Sequence, residues 1–106
     1  MLPGRYLFVF MVTIWGINSV PAHAEMIHVT IDNLVFSPAE LKARVGDTIT
    51  WINKDIVAHT ATARGDWDVM IPANESASLV LTKAGIVEYY CRFHPHMKGR
   101  LTIAPE

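Results

Sequence analysis

The chain has 106 residues, a formal net charge of −1 and one cysteine, and 51% of its residues are apolar. Its charged residues form neither a run of one sign nor a basic stripe, which excludes nucleic-acid binding as a main function. Because Cys91 is the only cysteine, an intrachain disulfide is also excluded.

The first 24 residues have the pattern of a secretory signal peptide. Arg5 precedes an uncharged apolar run over residues 7–17, and Ala22-His23-Ala24 supplies an A-x-A cleavage site. The run is too short for a bilayer, which needs about 20 apolar residues. We therefore predict cleavage after Ala24 and export to the periplasm without membrane insertion. Residues 25–106 are predicted to form a single monomeric domain.

After the signal peptide, apolar and polar residues alternate with a period of two, and turn residues interrupt the pattern repeatedly. The alternation predicts extended segments at residues 27–31, 34–36, 41–45, 48–52, 59–63, 67–69, 77–81, 86–91 and 101–103. Gly46-Asp47 predicts a hairpin between two of these segments, and residues 71–74 are expected to form a loop. Seven or eight short strands with regular turns predict an all-β fold, a two-sheet Greek-key β-sandwich.

Potential metal ligands cluster near the C-terminus. Cys91, His94, His96 and Met97 fall within seven residues between two predicted strands. A turn can direct such side chains to one point, whereas a straight strand sends neighbouring side chains to opposite faces. Two imidazoles, a thiolate and a weak axial thioether are the ligands of electron-transfer copper sites. His59, at the start of a predicted strand, is the candidate for the second imidazole.

Other interpretations of these residues are possible. A single histidine is more often solvated or packed in a core than bound to metal, and a single methionine is more often a packing residue. The unpaired cysteine of a secreted chain favours a metal site instead. His28 is expected to be solvated on the polar face of its strand. His96 is expected to be exposed, because its side chain would have to point back past Pro95 to bind the same metal ion as Cys91 and His94.

The sequence resembles the cupredoxins, the small blue-copper proteins. The matching segments are, in order, Phe36-x-Pro38, Val45-Gly46-Asp47-Thr48-Ile49-Thr50-Trp51-x-Asn53-x-Asp55, His59, and Tyr90-Cys91-x-x-His94-Pro95-x-Met97-x-Gly99. The short interval from His94 to Met97 is most similar to that of the amicyanin group, and plastocyanins and pseudoazurins have a longer one. The sequence departs from the family at Thr60, where asparagine often stands, and at Val87, where an aromatic residue is common.

The resemblance implies one copper ion, cycling between Cu(II) and Cu(I), with His59, Cys91, His94 and Met97 as ligands. It implies a one-electron carrier rather than an enzyme, with electrons passing through the exposed edge of His94. An amine dehydrogenase as donor and a c-type cytochrome as acceptor are the partners that it suggests. An apolar docking patch is expected around His94, and its candidate members, some of which could instead only cap the small core, are Val57, Met70, Ile71, Pro72, Phe93 and Pro95.

Three further alternatives stay open at this level. Arg92, Lys98 and Arg100 flank the ligand loop and form either a basic collar that steers an acidic partner or a set of solvated charges. A periplasmic copper-delivery protein could use His96 and Met97 as a second binding arrangement. A metal-free binding sandwich would have the same stability with and without copper. A multicopper enzyme is disfavoured, because only four histidines follow the signal peptide.

Overall fold

The computed structural model describes residues 24–106, and the predicted signal peptide up to residue 23 lies outside this range. Nine strands form the described part: β1 (Met26–Asp32), β2 (Val35–Ser37), β3 (Glu40–Arg44), β4 (Thr48–Asn53), β5 (His59–Ala63), β6 (Trp67–Ile71), β7 (Ser76–Val80), β8 (Gly85–Tyr90) and β9 (Lys98–Ala104). The all-β prediction is confirmed, and each of the nine strands corresponds to one of the predicted extended segments, although their number is nine rather than seven or eight. Among these residues no helix is long and apolar enough to cross a membrane.

The strands form two mixed sheets that enclose one core. The four-stranded sheet has the order β2-β1-β4-β7, and the five-stranded sheet has the order β3-β9-β8-β5-β6. β1 pairs with β4, and β3 with β9, in parallel, whereas the other neighbours are antiparallel. β9 shows how the sequence dictates the layers, because Leu101 and Ile103 are buried while the alternate side chains are exposed. The predicted two-sheet sandwich is confirmed.

Aromatic side chains from both sheets meet in the core. The ring centroids of Trp51 and Tyr89 are 5.6 Å apart, and those of Phe36 and Tyr89 are 4.8 Å apart. Nε1 of Trp51 donates a hydrogen bond of 3.3 Å to the hydroxyl of Tyr89. Burial raises the pKa of Tyr89, and this effect outweighs the lowering by the hydrogen bond from Trp51, so that the pKa is about 12. The Tyr89 hydroxyl is therefore a neutral member of the core.

The hairpin predicted at Gly46-Asp47 is wrong. β3 pairs with β9 in one sheet, whereas β4 pairs with β1 and β7 in the other. Gly46 has a φ of 101°, which favours glycine, and the buried Asp47 carboxylate accepts the N–H of Arg44 at 2.9 Å. The turn thus carries the chain from one sheet to the other. Apolar and polar residues alternate in the same way in two strands that face each other across a core and in two strands that pair in one sheet. The local pattern therefore does not distinguish the two arrangements.

Candidate metal centre

Three of the predicted ligand side chains converge at one end of the sandwich. His59 is the first residue of β5, and Cys91 and His94 lie in the loop between β8 and β9. The Sγ atom of Cys91 is 3.7 Å from Nδ1 of His59 and 3.8 Å from Nδ1 of His94. The three ligand atoms all lie within 4.8 Å of one another. His59 and Cys91 are buried, whereas His94 is half-buried and reaches the surface.

The loop between β8 and β9 is held by its own backbone. The N–H of Cys91 donates to the carbonyl of Met97 at 3.1 Å, and the N–H of Met97 donates to the carbonyl of His94 at 2.8 Å. These bonds return the chain to β9 within a few residues. Met97, which is 2% exposed, consequently belongs to the same buried cluster as Cys91.

The donor set fits a copper ion. Metal–imidazole bonds of about 2.0 Å and a metal–thiolate bond of about 2.3 Å place nitrogen and sulfur about 3.7 Å apart when the bond angle is about 120°. The separations of His59 and His94 from the sulfur match this value. A trigonal arrangement of two imidazoles and a thiolate is typical of electron-transfer copper sites. The described residues therefore offer donors of the right type and spacing before any metal binds.

The sulfur of Cys91 also receives a backbone hydrogen bond. The N–H of Thr60 lies 3.4 Å from Sγ and points to it. Thr60 directly follows His59 and is fully buried, so one short stretch of β5 contributes both an imidazole and a donor to the sulfur. A hydrogen bond to the sulfur is among the features that tune the potential of such a site.

Asp55 orients the imidazole of His59. Its Oδ2 atom is 2.9 Å from Nε2 of His59, and its two oxygens accept the N–H groups of Asn33 at 2.8 Å and Leu34 at 3.0 Å. Burial raises the pKa of Asp55, but the hydrogen bonds from these three donors outweigh it and leave the pKa below its ordinary value. An ionised acceptor holds the imidazole proton on Nε2, which leaves Nδ1 free to face the sulfur.

Asn53 fixes the segment that leads into His59. Its buried Nδ2 group donates to the carbonyls of Val57 at 2.9 Å and Pro72 at 3.1 Å. Its Oδ1 atom accepts the N–H of Asp55 at 2.9 Å. The loop between β4 and β5 is therefore tied to the end of β6, and this tie sets the position of the first histidine.

The remaining histidines lie outside this group. His96 is exposed, and its ring centroid is 6.4 Å from that of His94. His28 is exposed on β1, in the four-stranded sheet. Both placements agree with the positions expected from the sequence.

Most of the predicted docking residues are accessible. Phe93 is 47% exposed, Val57 45% and Met70 49%, and all three are close in sequence or register to a candidate ligand. Pro95 is exposed and Pro72 half-buried. The end of the sandwich that carries His94 therefore presents several apolar side chains to solvent.

One predicted member of the docking patch is wrongly placed. Ile71 is fully buried, because β6 extends through it and pairs it with His59, where a loop was expected. Its side chain packs in the core beneath the centre. Ile56, which the sequence reasoning did not select, is 85% exposed in the loop before His59. Nothing in the local pattern of apolar residues distinguishes these two isoleucines.

Two of the three cations around the loop between β8 and β9 already pair with carboxylates of this chain, which reduces the positive charge available to attract an acidic partner. Nε of Arg92 is 3.0 Å from Asp68, and an Nη atom of Arg100 is 3.0 Å from Glu88. Lys98 is exposed. Two of the three cations are thus paired with a carboxylate of the five-stranded sheet.

Sequence reasoning did not select Asp55 or Thr60 as residues that support the site. A signal for Asp55 was available, since a carboxylate four residues before a candidate histidine ligand can reach its second nitrogen. Thr60 was noted only as a departure from the family pattern. Its contact with the sulfur depends on the pairing of β5 with β8, which the sequence does not specify.

Comparisons with known proteins agree with this geometry. Residues 4–103 match the family model described as a cupredoxin-like domain. The chain is 32% identical to amicyanin from Paracoccus denitrificans over 85 residues, which covers 71% of the chain and 63% of that relative, slightly less than two thirds of its length. It is 27% identical to amicyanin-alpha from Methylorubrum extorquens over 89 residues, covering 77% of the chain and 75% of the relative.

Solved structures of amicyanin variants have the same fold. The reduced Cu(I) form of one variant at pH 4 superposes with a TM-score of 0.68 and 31% identity, covering 79% of this chain and 85% of the other. The oxidised state of a second variant also gives a TM-score of 0.68 with 31% identity, covering 73% of this chain and 80% of the other.

Proposed function

The chain belongs to the cupredoxin-like family, and from this membership we propose that it binds one copper ion and carries single electrons between redox proteins. The observation that carries the proposal is the convergence of His59, Cys91 and His94, with both imidazole nitrogens less than 4 Å from the sulfur. We propose that these three side chains would be the strong ligands of the ion and that the thioether of Met97 would be a weaker one. Copper, when bound, supplies the change between Cu(II) and Cu(I).

The residues of this chain hold the ligands in place before metal binds. Asp55 fixes the His59 ring, and the backbone N–H of Thr60 contacts the sulfur. Cys91 binds as a thiolate, so its proton leaves for solvent when metal binds. A site held in this way moves little when the charge of the ion changes, which favours rapid electron transfer.

We propose a carrier rather than an enzyme. The four side chains would complete the coordination of one copper ion and leave no ligand position for a substrate, whereas catalytic metal sites keep a position open. The half-buried ring of His94 offers a short route from the metal to the surface.

The cellular setting is also a proposal. Similarity to the amicyanins and the sequence of residues 1–24 support export to the periplasm, cleavage after Ala24 and a monomeric mature domain. The same similarity suggests an amine dehydrogenase as donor and a c-type cytochrome as acceptor. The exposed apolar side chains near His94, with Phe93 foremost, would form the docking surface for both.

Titration of the mature domain with Cu(II) tests the proposed centre. We expect one ion per chain, an intense visible band from thiolate-to-copper charge transfer, and an increase in the free energy of unfolding of about 4 kcal/mol at a free copper concentration of about 1,000 Kd. Cys91→Ser should lose the band, whereas His96→Ala, which alters an exposed histidine outside the group, should keep it. A colourless copper complex of the wild type, or a blue Cys91→Ser variant, contradicts the assignment.

Copper delivery is the second candidate function. The exposed His96 lies beside His94, with ring centroids 6.4 Å apart, and could hold the ion during release to an acceptor. A delivery protein would pass its copper quickly to a competing chelator, and His96→Ala would slow that transfer. An electron carrier would keep its copper through many cycles of oxidation and reduction, with or without His96.

A further inference from the structure

Two buried threonines beside the metal centre are linked to a surface carboxylate. Thr60 and Thr62 share the outward face of β5 with their cross-strand partners Met70 and Asp68. Nevertheless they are only 0% and 7% exposed. Their hydroxyl oxygens are 2.9 Å apart, and the hydroxyl of Thr62 donates to Oδ1 of Asp68 at 2.6 Å.

The ligand loop lies at the other end of this series. The backbone N–H of Arg92, next to Cys91, donates to the hydroxyl oxygen of Thr60 at 2.8 Å. The side chain of Arg92 returns to Asp68, with Nε 3.0 Å from Oδ1. The hydrogen bonds therefore form a closed ring, which we call the hydroxyl relay and which consists of Arg92, Thr60, Thr62 and Asp68.

The direction of the relay is fixed by its two ends. An amide N–H can only donate, and an ionised carboxylate can only accept. Because the hydroxyl of Thr62 donates to Asp68, the hydroxyl of Thr60 must donate to Thr62, and its oxygen is free to accept from Arg92. Hydrogen bonds aligned in one direction polarise and strengthen one another. The pKa of Asp68 is lowered by the hydrogen bonds from Arg92 and Thr62, which is consistent with an ionised terminus.

We propose that Asp68 is a positioning residue for the thiolate loop, acting through the hydroxyls of Thr62 and Thr60 on the backbone next to Cys91. This inference rests on the proposed copper site. Thr60, where the family often has asparagine, joins the segment of His59 to the loop of Cys91. Thr62 and Asp68 continue this series of hydrogen bonds to the outer surface of the five-stranded sheet.

The relay affects the metal centre through Thr60. The backbone N–H of Thr60 contacts the sulfur at 3.4 Å, and its hydroxyl holds the amide of Arg92. If the Thr60 hydroxyl loses its acceptor, the hydroxyl of Thr62, it must turn to another acceptor. The hydrogen bonds of Thr60 with the Cys91 sulfur and with the Arg92 amide then both weaken. A weaker hydrogen bond leaves more electron density on the sulfur, which favours Cu(II) over Cu(I) and lowers the reduction potential.

The primary test replaces Thr62 and leaves every charge in place. Thr62→Val removes the central hydroxyl, Thr62→Ser retains it, and Thr102→Val makes the same change on the exposed face of β9, outside the relay. We expect Thr62→Val to lower the reduction potential and shift the thiolate–copper band, whereas Thr62→Ser and Thr102→Val should match the wild type. In the metal-free protein, amide exchange at Arg92 should become about fivefold faster in Thr62→Val alone, the effect expected for one weakened hydrogen bond.

A second pair of variants separates the relay from simple charge effects. Asp68 and Glu88 are both exposed carboxylates on the five-stranded sheet, each 3.0 Å from an arginine. A nearby negative charge stabilises Cu(II) more than Cu(I) by electrostatic attraction, so removing either carboxylate should raise the reduction potential. In Asp68→Ala the lost relay opposes this rise, so its potential should lie below that of Glu88→Ala. Arg92 amide exchange should quicken only in Asp68→Ala.

Equal potentials and equal Arg92 exchange in Thr62→Val and Thr102→Val would overturn the proposal. Equal shifts in Thr62→Val and Thr62→Ser would also overturn it, because the retained hydroxyl would then make no difference and the effect would come from altered packing at position 62. Failure of the copper site itself is distinguishable: the wild type would then lack the blue band, while exchange at Arg92 in metal-free protein would still report on the relay.

Discussion

At the scale of single residues, the candidate centre depends on side chains that serve two purposes at once. Asp55 orients His59 and also holds the backbone N–H groups of Asn33 and Leu34 in the turn between β1 and β2. Thr60 contacts the sulfur through its backbone and the amide of Arg92 through its hydroxyl. Both residues join segments that are distant in sequence.

The lowered pKa of Asp55 predicts a pH dependence of stability. A carboxyl whose pKa is lower in the folded state stabilises that state above its unfolded pKa of about 3.9, and this contribution is lost as pH falls through the folded pKa. The free energy of unfolding of metal-free protein, measured in urea between pH 6 and pH 2.5, should therefore fall below about pH 4.

Asp55→Asn removes this contribution and should lower stability at pH 6 by about 2 kcal/mol, since it weakens several hydrogen bonds to a charged group. Its stability should decline less steeply in acid than that of the wild type. Asp32→Asn, which alters an exposed carboxylate at the end of β1, is the control and should retain the wild-type profile. Parallel profiles for wild type and Asp55→Asn would contradict this account.

At the scale of elements, the β1–β2 hairpin has a conformation that its sequence does not favour. Asn33 and Leu34 have φ values of 55° and 62°, and the strands pair directly on either side of them. Two-residue hairpin turns with positive φ prefer Asn-Gly, because leucine in the left-handed region brings its Cβ too close to the backbone. The hydrogen bonds from Asp55 compensate by holding both N–H groups.

Leu34→Gly should consequently stabilise the domain by about 0.5 kcal/mol, the difference between relieved strain and the greater freedom of glycine in the unfolded chain. Leu34→Ala is the matched control, because it removes the same partly exposed side chain but keeps Cβ. Urea unfolding of metal-free protein measures both. Equal stability of the alanine and glycine variants would show that the positive φ carries no cost.

At the scale of the whole molecule, the two sheets place the candidate ligands at one end of the sandwich. The half-buried His94 emerges there, next to the exposed Phe93, and Met70 and Val57 lie on the neighbouring segments. Electron exchange between two copies of the protein should use the same surface, since His94 is the one proposed ligand that is half-buried rather than buried.

Phe93→Glu tests this surface without an identified partner. Two such surfaces would carry like charges, so electron self-exchange, measured by NMR on mixtures of oxidised and reduced protein, should slow by about tenfold. The visible spectrum should remain unchanged. Val80→Glu introduces the same charge at an equally exposed apolar residue near the start of β4 and should have little effect. Equal rates for the two variants would place the contact surface elsewhere.

The class of fold and the composition of the candidate site follow from local patterns in the sequence. The period of two is a local consequence of strand geometry, so it predicted most strands and their buried faces, including Val29 and Ile31 in β1. The spacing of Cys91, His94 and Met97 lies within one loop and is likewise visible in the sequence. That these residues and His59 bind copper stays a prediction.

Which segments lie next to each other is evident only from the folded chain. The alternation of β3 and β4 fits a hairpin as well as two facing sheets, and the choice depends on distant partners, since β9 pairs with β3 and β1 with β4. For the same reason Ile71 was wrongly placed at the surface, and Asp68 could not be connected with Cys91. A local pattern specifies which face of a strand is apolar, whereas the identity of its neighbours is settled by packing over the whole chain.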